Sequence, residues 1–345
     1  MSAARENPAL SGPVLVTGAT GFLGREIVQQ LVALGTEVHV LARPDSDRGP
    51  LVSLPLVWHA GDLCHPDSIG RAVQALAQSA RERRSPARIV HSAALISYKT
   101  RDKALAHAVN VEGTRSLLEA ARAAGVARFL FVSSVVTIGH ATRGEPMDER
   151  FLFNGGDLGV DYVDTKRAAE ELVLEAGKSL DVVVVNPGAI FGPVERQSNT
   201  VRFIQHMAAG RAPRFAPPGC IGVVGVRDAA AGTLLALERG RRGERYLLVE
   251  SSLSALELFR RIARELDARP ARWRVPGWVW PALVLGSRVV DHVVTLEVAP
   301  PQGLRMLGLQ LRFDATKART ELGWSPTPFE RVLAETVAHV RARSS

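Results

Sequence analysis

Cysteine is scarce in this chain, and its scarcity excludes a small secreted domain held together by disulfides. The 345 residues include two cysteines, Cys64 and Cys220, so a reducing compartment is expected. The amino-terminal residues, MSAARENPAL, lack the apolar core of a signal peptide. Two of the most apolar stretches, residues 182–194 and 275–287, are shorter than the ~20 residues of a membrane-spanning helix. We therefore expect a cytoplasmic protein with no stable membrane span.

Acidic residues are outnumbered, but the basic excess is not concentrated in one place. Lys and Arg number 43 against 35 Asp and Glu, which gives a net charge of +8 at pH 7. A strongly basic chain could bind nucleic acid. The tightest basic group, RERR at residues 81–84, falls at the end of a predicted helix, where cations suit the helix dipole. The sequence therefore predicts neither a nucleic-acid partner nor a metal site.

The chain does have a regular alternation of short apolar strands and helices in its first 190 residues. Strands are predicted at residues 14–17, 37–42, 56–60, 88–93, 128–133 and 181–186, and helices at 22–34, 66–83, 105–124 and 162–179. Near-continuous apolar strands that alternate with helices are typical of a parallel sheet covered on both faces. The predicted fold class is α/β, a Rossmann-type doubly wound parallel sheet with a smaller, mostly helical C-terminal substrate-binding region.

The alternation changes after Pro193. Residues 211–225 are rich in Pro and Gly and predict a loop, and residues 273–290 are mostly apolar with three tryptophans. We assign residues 1–192 to a dinucleotide-binding domain, with residues 223–238 packing back onto it, and residues 193–222 and 239–345 to the substrate-binding region. For residues 273–290, a helix that lines the substrate pocket is favoured over a segment that touches a membrane.

A glycine-rich turn follows the first predicted strand and opens the first predicted helix. Residues 17–24 read TGATGFLG, with glycines at 18, 21 and 24. Small residues let the backbone approach a pyrophosphate, whose charge is stabilised by the amino end of the helix. In this strand–turn–helix context the motif predicts a dinucleotide site, and its predicted cofactor-binding residues are Gly18, Thr20, Gly21, Phe22, Leu23 and Gly24.

The end of the second strand indicates which dinucleotide is bound. An NAD site places a carboxylate there for the ribose hydroxyls, but this chain has Ala42 and then Arg43. A guanidinium can hold a 2′-phosphate by charge-assisted hydrogen bonds. Arg43 therefore predicts NADP as the cofactor, with NAD as the alternative.

Tyr162 and Lys166 carry the predicted proton chemistry. They are four residues apart at the start of a predicted helix, so their side chains share one face. An ammonium beside a phenol favours the phenolate and lowers the phenol pKa, which suits a general acid or base. Ser133 and Ser134 end the fifth predicted strand, where a hydroxyl could bind a substrate carbonyl. Asn110, in the middle of a predicted helix, could hold a water on the proton path or bond to backbone.

Together these motifs resemble the extended short-chain dehydrogenase/reductase family. The resemblance runs in order through GDL at 61–63, HSAA at 91–94, NVEGT at 110–114, SSVVTIG at 133–139, YVDTK at 162–166 and NPGAIFGP at 186–193. It is strongest with the branch similar to dihydroflavonol-4-reductase and 3β-hydroxysteroid dehydrogenase. Asn186 departs from the arginine that many sugar-modifying members carry, which disfavours a nucleotide-sugar substrate.

The resemblance implies a role for each matching residue. Tyr162 would be the general acid/base, Lys166 would bind the nicotinamide ribose, and Ser134 and Asn110 would complete the catalytic set. Further cofactor contacts would come from Asp62 and Leu63, from Ala93 and Ala94, and from Pro187, Gly188, Ala189 and Ile190. The family also includes dimers, so a homodimer is possible.

The expected function is an NADP-dependent oxidoreductase that transfers a hydride between nicotinamide and the carbonyl or secondary alcohol of a largely apolar small molecule. One alternative is a nucleotide-sugar epimerase or dehydratase with tightly bound NAD, for which Arg196, Arg202, Arg211 and Arg214 could bind phosphate. Against it stand the apolar residues Phe203, Met207, Phe215, Ile221, Val223 and Val224 in the same region. A non-catalytic cofactor-sensing protein is the alternative from another class.

Overall fold

The structure is a computed structural model that describes residues 12–141, 144–193, 198–293 and 300–344. Its strands are β1 (Val14–Thr17), β2 (Val38–Ala42), β3 (Leu56–Ala60), β4 (Arg88–His91), β5 (Arg128–Val132), β6 (Val182–Pro187), β7 (Ala189–Phe191), β8 (Phe215–Ala216), β9 (Cys220–Gly225), β10 (Arg245–Leu248), β11 (Ser251–Ser254) and β12 (Trp273–Arg274). Its α-helices are α1 (Phe22–Ala33), α2 (Pro66–Glu82), α3 (Lys103–His107), α4 (Gly113–Ala123), α5 (Asp161–Ala176), α6 (Asn199–Ala208), α7 (Val226–Arg239), α8 (Ala255–Glu265), α9 (Trp280–Val293), α10 (Pro301–Leu307), α11 (Thr316–Leu322) and α12 (Phe329–Ser344).

Seven parallel strands form the central sheet, in the order β10-β6-β5-β4-β1-β2-β3. The chain leaves β1 toward β2 and β3 on one side and returns to β4 on the other. This reversal places a crevice at the carboxyl ends of β1 and β4, which is where open α/β sheets bind ligands. The predicted Rossmann-type sheet is confirmed, and six of its strands lie within 1–192. The seventh, β10, comes from the part of the chain that the sequence analysis assigned to the substrate region.

Alternating side chains of the strands build two separate cores, because successive residues of a strand point to opposite faces. Val14 and Val16 of β1 face the cluster that includes Ile27 of α1 and Leu234 of α7. Leu15 faces the other cluster, with residues of α2, α4 and α5. All of these side chains are nearly or fully buried, so β1 is apolar on both faces, as the sequence predicted.

The C-terminal part packs around a third core and a small sheet. Strands β7 and β9 pair in parallel, and β11 joins β9 in antiparallel fashion. Helices α6, α8 and α12 supply most of this core. Ser254 caps α8 by accepting a hydrogen bond from the Glu257 amide at 3.2 Å.

Two predictions about local structure were wrong in part. Residues 211–225 are not all loop: β8 and β9 lie there, because Cys220–Gly225 gains its ladder from β7 and β11 despite its glycines. The helix predicted over 105–124 is interrupted by a π-helical turn, Ala108–Glu112, which contains Asn110. Such turns are frequent at functional sites. Among the described residues, none of the helices combines the length and apolar character needed to cross a bilayer.

Candidate active site

The glycine-rich turn lies against the carboxyl end of β4 and fits a dinucleotide pyrophosphate. Gly18 has φ +71°, and a Cβ there would lie 2.6 Å from the Ala93 amide nitrogen, so a side chain would separate the β1 turn from β4. A Cβ on Gly24 would lie 2.0 Å from the Gly18 carbonyl oxygen. Gly21 caps α1 without a side-chain hydrogen bond, and the first turn, which begins at Phe22 and Leu23, carries no acid. The amino end of α1 is therefore open to an anion.

The predicted adenosine side of the site lies beyond β2 and β3. Arg43 follows β2, and its side chain is 60% exposed, with Asp45 at a loose 3.8 Å. Asp62 accepts a hydrogen bond from the Cys64 amide at 2.8 Å, and Leu63 is buried beneath α4. Burial and Asp62 raise the pKa of the Cys64 thiol, while the positive charge of Arg43 opposes them. Arg43 thus faces the turn that contains Asp62, with its guanidinium available to a ligand.

The predicted nicotinamide side of the site is built from backbone. The Ala93 amide donates to the Thr17 hydroxyl at 3.3 Å, which fixes the start of the loop that contains Ala94. Pro187 ends β6, Gly188 donates to the Leu248 carbonyl at 3.1 Å, and residues 189 and 190 begin β7. A Cβ on Gly188 would lie 2.5 Å from the Gly222 carbonyl oxygen. This turn is therefore held rigidly between the central sheet and the small sheet.

Tyr162 lies in the first turn of α5 and contacts Ser134 at the end of β5. Its side chain is buried, and burial raises the pKa of the phenol, while the hydrogen bond with the Ser134 hydroxyl lowers it less. Ser133 points elsewhere, since its hydroxyl lies 3.4 Å from that of Thr137. Of the two serines, the structure brings Ser134 to the phenol. A neutral phenol that keeps its proton at pH 7 is suited to protonate a substrate oxygen.

Lys166 does not act on Tyr162 as the sequence analysis expected. Its Nζ donates to the Val132 carbonyl oxygen at 2.8 Å and lies 4.2 Å from the centre of the Phe131 ring. Burial lowers the pKa of Lys166 to about 7, with Glu170 acting weakly in the opposite direction. The predicted lowering of the Tyr162 pKa by this ammonium is therefore wrong for the cofactor-free chain. The shared helix face was correct, but the Lys166 ammonium is bonded to Val132, and burial is the main cause of the raised phenol pKa.

The Asn110 side chain forms hydrogen bonds to backbone atoms, so its amide group is not open to a solvent molecule. Its Oδ1 accepts from the Leu95 amide at 2.7 Å, and its Nδ2 donates to the Leu95 carbonyl and to the Thr165 hydroxyl, both at 3.1 Å. Of the two roles considered from sequence, backbone bonding is the one these contacts perform, although the backbone bonded is that of Leu95. Asn110 thereby ties the loop after β4 to α5.

A buried polar network behind Ser134 was missed from sequence. Asn186 Nδ2 donates to the Ser134 carbonyl at 3.2 Å and to Glu170 Oε2 at 2.7 Å. The Thr137 hydroxyl donates to the same carboxylate at 2.6 Å, and Arg245 pairs with Glu170 at 3.3 Å. Glu170 is fully buried and lies eight residues after Tyr162. An acid four residues beyond Lys166 on the buried face of the same helix was the available signal.

The start of α5, the helix that carries Tyr162, is held by contacts from α10. The Asp161 amide donates to Gln302 Oε1 at 3.0 Å, and Gln302 Nε2 donates to the Asp161 carboxylate at 2.7 Å. Arg305 donates to the Leu158 and Gly159 carbonyl oxygens at 2.8 and 2.7 Å. These contacts join residues more than 140 positions apart. No local pattern could have indicated them.

Tyr98 is the side chain that stands beside the candidate acid on its outer side. The rings of Tyr98 and Tyr162 meet edge to face, with centroids 5.9 Å apart. Burial, together with the neighbouring Tyr162, raises the pKa of the Tyr98 phenol. The surface next to the Tyr162 ring is thus aromatic and uncharged on this side.

Several apolar residues expected to line a pocket are core residues instead. Met207, Val223 and Val224 are almost fully buried among other core side chains, and Phe203 packs on Phe259 with centroids 4.7 Å apart. Phe215 is 56% exposed. Of the cations considered for phosphate, Arg202, Arg211 and Arg214 are exposed, and Arg196 lies outside the described residues.

The comparisons with known proteins agree with this architecture. Residues 14–248 match the model of the NAD-dependent epimerase/dehydratase family. Sterol demethylase protein B of Methylococcus capsulatus is 34% identical over 95% of this chain and 98% of its own. Ceramide reductase of Caulobacter vibrioides is 32% identical over 94% of this chain and 89% of its own. The crystal structure of gox2253 superposes with a TM-score of 0.82 at 30% identity, over 96% of this chain and 98% of that one.

Proposed function

This chain belongs to the NAD-dependent epimerase/dehydratase family, as an enzyme of the extended short-chain dehydrogenase/reductase type, and from that premise we propose its reaction. It is an NADP-dependent oxidoreductase that acts on the carbonyl or secondary alcohol of a largely apolar small molecule. The observation that carries the proposal is the contact of the buried Tyr162 phenol with Ser134 beside the β1/β4 crevice. It puts a proton donor and a second hydroxyl next to a site built for a dinucleotide.

In the proposed mechanism the cofactor, when bound, supplies or accepts the hydride. Residues of the chain bind the substrate oxygen and exchange a proton with it. The Ser134 and Tyr162 hydroxyls bind that oxygen, and Tyr162 gives it a proton from Oη as the carbonyl is reduced. The phenol carries its proton at pH 7, as an acid must, and burial raises its pKa further in the cofactor-free chain. The network of Asn186 and Glu170 holds the Ser134 turn in position. Lys166 is the residue that would hold the nicotinamide ribose.

The preference for NADP is carried by Arg43. It stands at the carboxyl end of β2, where Ala42 leaves no carboxylate for ribose hydroxyls, and its guanidinium has only a loose partner in Asp45. The amides of the glycine-rich turn would hold the pyrophosphate. The remaining contacts would come from the residues after β3, β4 and β6 that the family resemblance indicates.

An apolar substrate is supported by the Tyr98 ring beside Tyr162 and by relatives whose names include a sterol and a ceramide. The family name also covers epimerases and dehydratases, and Arg211 and Arg214 are exposed cations that could meet a nucleotide diphosphate. The sugar-nucleotide reaction therefore remains the second candidate.

The test is a paired screen in the presence of NADP(H). Sterol, flavonoid and long-chain keto compounds are assayed for oxidation of NADPH, and their alcohols for reduction of NADP. UDP- and GDP-sugars are tested in parallel by thermal shift and by product analysis. Turnover of an apolar ketone is the expected result. Saturable binding and conversion of a nucleotide sugar, with no response to any apolar compound, would replace the proposal with the epimerase reaction.

A further inference from the structure

One region of the protein surface combines exposed aromatic and aliphatic side chains with arginines. Its apolar members, here called the aromatic surface, are Phe215, Trp273, Trp278, Leu283 and Leu285, which are 56%, 52%, 84%, 48% and 61% exposed. Side chains of this kind are usually scattered singly on a soluble protein. Here they fall on β8, on β12, in the turn between β12 and α9, and on the first turns of α9. The tryptophan-rich segment thus presents much of its apolar surface to solvent.

Part of the aromatic surface is held in place by the pairing of two strands. Strands β8 and β12 pair in parallel, and the Val275 amide donates to the Ala216 carbonyl oxygen at 2.9 Å. The rings of Phe215 and Trp273 stack with centroids 5.6 Å apart, and the Arg272 guanidinium lies 5.1 Å from the centre of the Trp273 ring. The pairing therefore holds the two rings side by side at the surface.

The two segments that form the aromatic surface carry only positively charged side chains. No acid occurs in residues 198–227 or in residues 268–290, the two segments that form it. Five exposed arginines flank it: Arg211, Arg214, Arg269, Arg272 and Arg274. Within the described part of the chain, none of the five has a carboxylate partner. Such unpaired cations attract an anionic surface.

We infer that the aromatic surface docks on an anionic lipid bilayer. Tryptophan favours the interface between lipid and water, and aliphatic side chains beside it gain by leaving water. Each arginine near an anionic leaflet adds attraction. A second copy of this chain fits poorly, because a two-fold contact would set these arginines against their own counterparts. The surface touches the bilayer without crossing it.

This surface is connected to the catalytic helix by two contacts. Trp280 Nε1 of α9 donates to the Leu304 carbonyl oxygen of α10 at 3.2 Å, and α10 clasps the start of α5 through Gln302. An enzyme that lay on the bilayer through α9 would therefore hold Tyr162 two helices away from the lipid. The apolar substrate of the proposed function would itself partition into lipid. This arrangement shortens the path of that substrate from the bilayer to Tyr162.

Sedimentation of the full chain with sucrose-loaded vesicles tests the inference. Vesicles of phosphatidylcholine alone are compared with vesicles that contain phosphatidylglycerol, at low and high salt. The chain is expected to bind the anionic vesicles and to be released by salt. Trp273→Ser/Trp278→Ser should weaken the partition coefficient at least about tenfold. Arg272→Glu/Arg274→Glu should weaken it by at least about thirtyfold, since the loss of each positive charge is alone worth a factor of about five.

Matched controls separate the surface from general effects of charge and apolar area. Leu152→Ser removes a side chain that is 87% exposed elsewhere, and Arg71→Glu/Arg122→Glu makes the same charge change on α2 and α4. Both should bind like the unaltered chain. Absence of binding to anionic vesicles, or equal loss in the controls, would overturn the inference. So would self-association that the tryptophan variant abolishes, because a second copy would then be the occupant. The assay needs no turnover, so it does not depend on the proposed reaction.

Discussion

The buried ammonium of Lys166 should make the stability of the cofactor-free protein depend on pH in a specific direction. Its pKa is lowered from 10.5 to about 7 because burial disfavours the charged form. Between these values the unfolded chain binds a proton that the folded chain lacks. Stability should therefore rise with pH across this window, and the cost of the charged lysine should be complete below pH 7.

The magnitude follows from the size of the shift. Each pH unit inside the window is worth about 1.4 kcal/mol, so the free energy of unfolding should gain ~3 kcal/mol between pH 7 and pH 9.5 from this group alone. Lys166→Met keeps the length of the side chain and removes the titration.

Urea unfolding of the wild type and of Lys166→Met at several pH values measures this contribution as a difference. The other titrating groups are common to both proteins and cancel. Lys178→Met, at a lysine whose side chain is 76% exposed, is the control for the general effect of removing a lysine charge. The reasoning is refuted if the wild type and Lys166→Met differ by the same amount at pH 7 and pH 9.5.

Three further predictions concern the site itself. Tyr162→Phe should lose roughly 10²–10⁴-fold in turnover while it keeps its affinity for the cofactor. The control Tyr246→Phe, at a tyrosine that is hydrogen-bonded to Glu321, should keep the wild-type rate. A Tyr162→Phe rate above a tenth of wild type would contradict the mechanism. Arg43→Ala should weaken NADP but not NAD in calorimetry, by about tenfold or more, and unchanged NADP affinity would exclude the 2′-phosphate contact. Gln302→Ala should cost about 1–3 kcal/mol of unfolding free energy and lower kcat, and an unchanged urea midpoint would show that the clasp on α5 contributes nothing.

Local sequence was sufficient for those features that depend on neighbours along the chain. The glycine-rich turn could be recognised because Gly18 must adopt positive φ and Gly24 must meet the Gly18 carbonyl, requirements that fall within seven residues. The shared face of Tyr162 and Lys166 follows from helical spacing. Five of the six strands of the first 190 residues were found because they are buried on both faces, whereas the edge strand β3 is only partly buried. The order of the motifs along the chain indicated the family, and the family resemblance in turn implied a role for each matching residue.

The tertiary structure decided everything that depends on burial or on distant partners. Glu170 and Asn186 meet behind Ser134 only because β5, β6 and α5 pack together, and Gln302 reaches Asp161 from 141 residues away. Strand β9 exists because its neighbours complete its ladder, against its own glycine-rich sequence. The pKa of the Tyr162 phenol is raised, and not lowered as the spacing predicted, for the same reason. Spacing alone brings an ammonium near a phenol, but desolvation depends on how much of the folded chain surrounds both groups, which only the complete fold determines.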